Sequence, residues 1–410
     1  MAATTKANYA STVRTKHFTE LLDIAMGRMP ELKFAVGHDV EKGAGDTVRV
    51  ARLLRPAKTT SAATQGTLIA AASATNLVAN HLDLSLQNWG NSFGFNEDVE
   101  ITSWISQQAN KEMIANQMQR TLAYQLRKIM STQSFRWRID GDTDYQKMAT
   151  VTTADTTTGG ATTFHSTGLS ETTADYWTGG YVTITNPESP NYDITSFITD
   201  YATDVATVSF PNSLTTDSDG WLCATQAIAA TDVLTTTGLL YVAALHELFE
   251  TEKFNGGLLR GFLAPAQKRD LWLDTTFLNS AIYDNSGRFA NYSVIRWWDM
   301  EFLVGSEGYR ENVQALPTTA AISTYENQAS GVVYSTPIFG ANSYALYSFA
   351  NPGGSGKFSV SWQVVDSPDS GNLRNSAKYL SWKSQWAGGV LRATSIINLL
   401  TGATSLAVTV

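Results

Sequence analysis

Apolar and polar positions recur with several periods along the chain, and each change of period marks a change of element. Between Val13 and Met29, residues Phe18, Leu21, Leu22, Ala25 and Met29 fall at i, i+3, i+4, i+7 and i+11, a helical stripe that Gly27 and Pro30 close. Such a helix either packs on its own domain or docks as an arm on a neighbour. From Asp46 to Leu54 the period drops to two. Val48, Val50, Arg52 and Leu54 share one strand face, with Arg49 and Leu53 on the other. A second alternating run, His81–Gln87, sets Leu82, Leu84 and Leu86 against Asp83, Ser85 and Gln87. Between the two lies Thr59–Ala74, rich in Thr, Ala and Ser, with no charged residue and only Leu68 and Ile69 as large apolar side chains. Two strands around such a segment predict a long hairpin whose tip cannot bury itself within its own chain; it is either floppy or clamped by a partner. Arg49, Arg52, Arg55 and Lys58 make this region locally basic.

Helical spacing returns over Ser103–Ser131, where Ile105, Ala109, Met113, Ile114, Met118, Leu122, Leu126 and Ile129 predict one long helix with one buried stripe. Thr102 or Ser103 can cap it. Glu97, Asp98 and Glu100 before its start and Arg127 and Lys128 near its end complement the helix dipole. At about Met148 the composition shifts to Thr, Asp, Gly and Tyr. Short alternating runs at Tyr181–Thr185, Ile194–Ile198 and Val205–Phe210 are separated by turn signals at Gly179-Gly180, Asn186-Pro187 and Asp219-Gly220. This predicts a β-rich subdomain. Helices follow at Leu239–Phe254 and Pro265–Asn279, then strands at Val294–Trp298, Glu301–Val304, Val332–Tyr334 and Tyr344–Phe349. An aromatic, β-branched closing strand region spans Lys378–Thr401.

Composition narrows the class. Of 410 residues 43% are hydrophobic, ample for a large core and far from a disordered chain. Charged residues reach only 16%, below the roughly 25% usual for soluble domains, so much of the surface is expected to face other protein. The net charge of −8 argues against sequence-wide attraction to nucleic acid or an anionic membrane. The single Cys223 excludes an intrachain disulfide and reads as a small buried hydrophobe. Neither a membrane span nor a secretory signal is expected.

Fragments of catalytic motifs fail on their spacing. His246-Glu247-Leu248-Phe249-Glu250 lacks the second histidine of a zinc helix. Gly353-Gly354-Ser355-Gly356-Lys357 lacks both the leading glycine and the Ser/Thr of a phosphate loop. Asp140, Asp142 and Asp144 open like a calcium loop, but Tyr145 and Val151 stand where Gly and Glu are required, so a solvated acidic turn is the plainer reading. No enzyme and no cofactor are expected.

The order of elements, from Val13 to Thr401, resembles the major capsid proteins of tailed bacteriophages with the Hong Kong 97-type (Johnson) fold. The phrases that carry the resemblance are Leu84-Ser85-Leu86-Gln87-Asn88-Trp89-Gly90 leading through Asn96-Glu97-Asp98 into the long helix, Val332–Ala345 with Gly340 at its turn, and Asp369–Lys383 ending in Tyr379-Leu380-Ser381-Trp382-Lys383. The resemblance implies an α+β fold: an N-arm at 1–35, an E-loop at 36–100 and a P domain with its spine helix at 101–147. A β-rich insertion with P-domain strands follows at 148–237, then a P-domain helix and A domain at 238–355, and closing P-domain strands at 356–410. It implies a virion shell protein, assembled in the host cytoplasm as hexamers and pentamers of identical subunits around packaged dsDNA that is contacted non-specifically. A separate scaffolding protein, a portal protein at one vertex and room for a decoration protein are further implied partners. Inter-subunit contacts are expected from Phe18, Leu21 and Leu22 of the arm, and from Arg49, Arg52, Arg55 and Lys58 of the loop pairing with Glu97, Asp98 or Glu100 beside an adjacent spine. A Lys–Asn crosslink, as one relative makes, would draw on Lys42 or Lys58 and Asn372 or Asn375. Two other classes remain: a tail-associated, adhesin-type binding protein, suggested by the Thr/Tyr/Trp-rich β segment, and an encapsulin-like nanocompartment shell, which shares the fold.

Overall fold

The computed structural model describes residues 31, 34–40, 47–53, 79–96, 107–141, 145–155, 160–169, 171, 176–187, 189–216, 218–224, 228–229, 231–278, 294–305, 310–312, 332–349, 359–365 and 377–403. The arm helix, the hairpin tip 59–74, the acidic residues 97–100, the glycine-rich 353–357 and the Lys/Asn crosslink candidates lie outside these. The protein is α+β, and the chain divides into two units: 1–49, 83–126 and 344–389 form the first, and 50–82, 127–343 and 390–410 the second.

In the first unit, strand Val36–Val40 runs parallel to Tyr344–Phe349 in a sheet that also holds Gln87–Asn96, Ser359–Val365 and Ala377–Val390. Ala377–Val390 lies between Ser359–Val365 and Gln87–Asn96, antiparallel to both, with Trp382 opposite Trp362 on one side and Asn91 on the other. Trp386 is buried and stacks on Trp89 with centroids 6.1 Å apart. The Tyr344 hydroxyl donates to the Glu31 carbonyl at 2.5 Å. Strands Thr47–Leu53 and Ala79–Ser85 pair as the expected hairpin.

The long helix α1 spans Gln107–Thr132. Its buried stripe is Ile114, Met118, Leu122, Leu126 and Met130, at intervals of four. Met113, expected in that stripe, is 49% exposed, because it sits one position, about 100° of arc, off the line through Ile114. The expected basic pair does not serve the helix end, since α1 runs past both residues and its last turn holds no basic side chain. Arg127 is buried, with its guanidinium 4.9 Å from the Phe262 ring centroid. Arg136 instead supplies the positive charge, donating from Nε and Nη2 to the Ser131 carbonyl at 3.1 and 3.0 Å. Asn398 Nδ2 reaches the same carbonyl at 3.3 Å. The Ser335 hydroxyl donates to Asn398 Oδ1 at 2.6 Å, so the Ser131 hydroxyl, 2.5 Å away, donates to Ser335. All of these residues are buried, and a satisfied network of this kind fixes the helix end on the sheet.

That sheet is the centre of the second unit, in the order Val294–Trp297, Met300–Val304, Leu259–Leu263, Val332–Phe339, Ile396–Thr401 and Phe135–Arg138. Helices α2 (Thr236–Leu248) and α3 (Pro265–Leu273) contribute Leu239, Val242 and Leu271 to its core, with Phe135, Leu259, Phe302, Ile338, Ile397 and Leu399. Both helices are shorter than expected at their C-terminal ends. α2 stops where Glu250 takes a left-handed φ of 48°, and α3 stops at Asp274, whose carboxylate instead accepts from the Thr236 N–H and hydroxyl at 2.8 and 2.9 Å.

The Thr-rich segment forms a four-stranded sheet (Gln146–Thr150, Asp219–Cys223, Tyr181–Ile184, Thr195–Phe197) and a three-stranded one (Asp200–Ala202, Val205–Phe210, Ala161–His165). Their shared core includes Phe164, Trp177, Val182, Ile184, Tyr201 and Leu222. Asp219-Gly220, expected to be a turn, opens a strand. Gly220 is there for packing, since a Cβ on it would sit 2.6 Å from Phe164 Cε2. The closing region 378–401 is two strands in different sheets rather than one. Asp193, at φ 64°, accepts at the break from Thr394 N–H (2.8 Å) and Arg392 Nε (3.2 Å), turning the chain between them.

Candidate assembly surface

Of the ten residues expected at subunit contacts, Phe18, Leu21, Leu22, Arg55, Lys58, Glu97, Asp98 and Glu100 lie outside the described residues. Arg52 sits in strand Thr47–Leu53. Arg49 is seen in full. Its Nε and Nη2 donate to Asp83 Oδ1 and Oδ2 at 2.8 and 2.9 Å, a bidentate pair across its own hairpin. The hydrogen bond from Arg49, then the charge of Asp83, raises the arginine's pKa, and both side chains face solvent. The pair bridges the two strands of the hairpin, so these charges are matched within the chain.

A second surface was not read from the sequence. α2 buries Leu239, Val242 and His246, and on its other side exposes Thr237, Leu240, Tyr241, Ala244 and Leu248 at i, i+3, i+4, i+7 and i+11. Tyr241 is 59% and Leu248 71% exposed. The available signal was a helix apolar all round, which in a soluble protein must be covered on both sides. Trp298 adds to the exposed apolar area. It occupies the turn between Val294–Trp297 and Met300–Val304, at φ 50°, 65% exposed and stacked on Trp297. A bulky residue held in the left-handed region is strained, and such strain concentrates at functional positions. Beside this turn, Asp299 pairs with Lys253 Nζ at 2.6 Å, and Glu247 approaches the same nitrogen at 3.9 Å.

Of the motif fragments, Asp142 and Asp144 also lie outside the described residues. His246 is buried; its Nε2 donates to the Ile338 carbonyl at 3.1 Å, leaving Nδ1 to accept from the Thr251 hydroxyl at 3.1 Å. Both ring nitrogens are therefore committed. Burial holds its pKa down to about 3, and the Ile338 carbonyl offsets this only in part. Asp140 Oδ1 accepts from Arg138 Nε at 3.1 Å, so it is not an open ligand. Cys223 is buried. Among the described residues no three His, Cys, Asp or Glu side chains are placed to hold a metal ion, and no helix is long and apolar enough to cross a membrane.

No family model matches the sequence, and no curated protein matches it. Among solved structures, the chain is similar to the capsid of the cyanophage P-SCSP1u at 10% identity, covering 90% of this chain and 87% of that one with a TM-score of 0.48. It is similar to the capsid of Ralstonia phage GP4 at 10% identity, covering 90% and 88%, TM-score 0.48. It is also similar to the SrpI encapsulin of Synechococcus elongatus at 8% identity, covering 90% and 87%, TM-score 0.41.

Proposed function

We propose that this chain is the subunit of a closed protein shell, the major capsid protein of a tailed bacteriophage. The observation that carries the reading is the succession of elements: a paired hairpin, a 26-residue helix, a β-rich segment, and a C-terminal strand that pairs with the strand following that helix. This is the order that the resemblance to Hong Kong 97-type capsid proteins implies. The low charged fraction of 16% and the exposed apolar face of α2 supply surface for contact with further copies. On this reading copies assemble as hexamers and pentamers around dsDNA, in the host cytoplasm, with a separate scaffolding protein, a portal and room for a decoration protein. The subunit is structural and needs no catalytic residue.

Expression of the full chain, alone and with the neighbouring phage genes, followed by negative-stain imaging and sedimentation, tests the proposal. Closed shells are the expected result. A monomer or trimer that binds glycans would overturn it in favour of an adhesin, and shells that co-purify with an enzyme cargo would move it to a nanocompartment.

A further inference from the structure

Asn255 and Gly256 form the tip of the turn Phe254–Gly257, which the Gly257 N–H closes by donating to the Phe254 carbonyl at 2.9 Å. Phe254 and Leu258 bridge below it. Gly256 and Gly257 both take left-handed backbone, with φ of 97° and 72°, and a Cβ on either would meet nothing within 4 Å. Asn255 is exposed. Among the described residues no hydrogen bond holds its carboxamide or the Gly256 amide. The other asparagines seen at comparable detail differ: Asn191 is buried and donates to the Asn212 carbonyl at 2.8 Å, and Asn398 is locked between Ser131 and Ser335.

We propose that Asn255-Gly256 is a self-modification site, at which the exposed carboxamide is converted to a carboxylate through a cyclic imide. Asparagine is a thermolabile residue, and an intramolecular nucleophile gains from its enforced proximity. Solvent base removes the Gly256 amide proton, and that nitrogen attacks Asn255 Cγ. The new C–N bond closes the ring, the Cγ–Nδ2 bond breaks, and the nitrogen leaves as ammonia after taking up a proton. One water then opens the imide at either carbonyl, giving Asp or its iso-linked isomer, so carboxamide plus water becomes carboxylic acid plus ammonia with no change of oxidation state. Glycine is the residue that leaves the attacking nitrogen unshielded. Each conversion adds a negative charge near Glu247, Glu250, Glu252 and Asp299, where Lys253 is the counter-charge. The iso-linked product also inserts a methylene into the backbone of a turn closed by one hydrogen bond.

The test uses the intact, folded chain held in mildly alkaline buffer at 37 °C. Trypsin cuts after Lys253 and Arg260, releasing Phe254–Arg260 as a single peptide. The expected result is that this peptide gains the mass of an NH2-to-OH exchange and splits into two chromatographic species. Peptides carrying Asn191 and Asn398 stay unchanged, and Asn255→Gln loses the conversion. The proposal is overturned if Phe254–Arg260 stays unmodified in the folded protein while the same peptide, free in solution, converts.

Discussion

At Gly220 an added methyl group would stand 2.6 and 2.9 Å from two ring carbons of Phe164 and 3.0 Å from a Val182 methyl, all inside the core of the β-rich segment. Gly220→Ala is therefore expected to cost about 1–3 kcal/mol, as overpacking of a filled core does. Urea unfolding followed by circular dichroism measures it, and an unchanged midpoint would count against the packing described. His246 makes a different kind of prediction. Its folded pKa of about 3 lies below the ordinary 6.5 because burial penalises the charged ring. As pH falls below 6.5 the unfolded chain takes up a proton that the folded one refuses. Stability is thus full above that value, and is lost progressively down to about pH 3, by up to about 5 kcal/mol in all. The groups facing the ring are the Ile338 carbonyl and the Thr251 hydroxyl, with the charges of Asp299 and Lys253 opposing each other in their effect. His246→Gln should flatten the dependence of the urea midpoint on pH within this window; an unaltered slope would place the acid sensitivity elsewhere.

At the level of the element, the two sides of α2 do different jobs, and substitution can separate them. Tyr241→Glu combined with Leu248→Glu touches only exposed positions, so stability should shift by no more than about 0.5 kcal/mol per site. Shell formation should nonetheless fail, since charge would be placed where a neighbour must exclude water. Calorimetry and sedimentation read the two effects independently; normal particles would remove α2 from the assembly surface. The hairpin and α1 were legible in the sequence because each holds a single period long enough to count, with Leu84 and Ile114, Met118, Leu122 and Leu126 inward as expected, while at the helix end Met130 is buried in place of the expected Ile129. Legibility failed where a local signal was overruled by packing. The strand expected at Val332–Tyr334 runs on to Phe339, straight through Pro337, which pairs with Asn398. Asp219-Gly220 reads as a turn, but its glycine answers to Phe164 across the core. The break between Val390 and Ile396 depends on Asp193, some two hundred positions earlier, and no local pattern could announce it. The contact residues divide likewise: Arg49, expected to reach Glu97, Asp98 or Glu100 of a neighbour, pairs with Asp83 across its own hairpin, while Tyr241, Leu248 and Trp298 were hidden by their resemblance to core.

Across the whole molecule, only 16% of residues are charged, below the roughly 25% usual for soluble domains, and they sum to a net charge of −8. Removing Thr59–Ala74 should leave a folded subunit, because that stretch brings only Leu68 and Ile69 as large apolar side chains. It should assemble poorly, and electron micrographs showing regular particles from the deletion would refute the role given to the hairpin. One feature of the central sheet governs how such a subunit is made. Strand Ile396–Thr401 lies between Val332–Phe339 and Phe135–Arg138, joining the sheet's antiparallel side to the strand that leaves α1. A chain that ends before position 396 lacks the strand between those two, so their facing edges go unpaired and the core neighbours of Leu399 and Leu400 stay wet. The sheet therefore cannot close until synthesis has passed this strand. A chain cut short of it is betrayed by its own unfinished architecture, without any separate inspector.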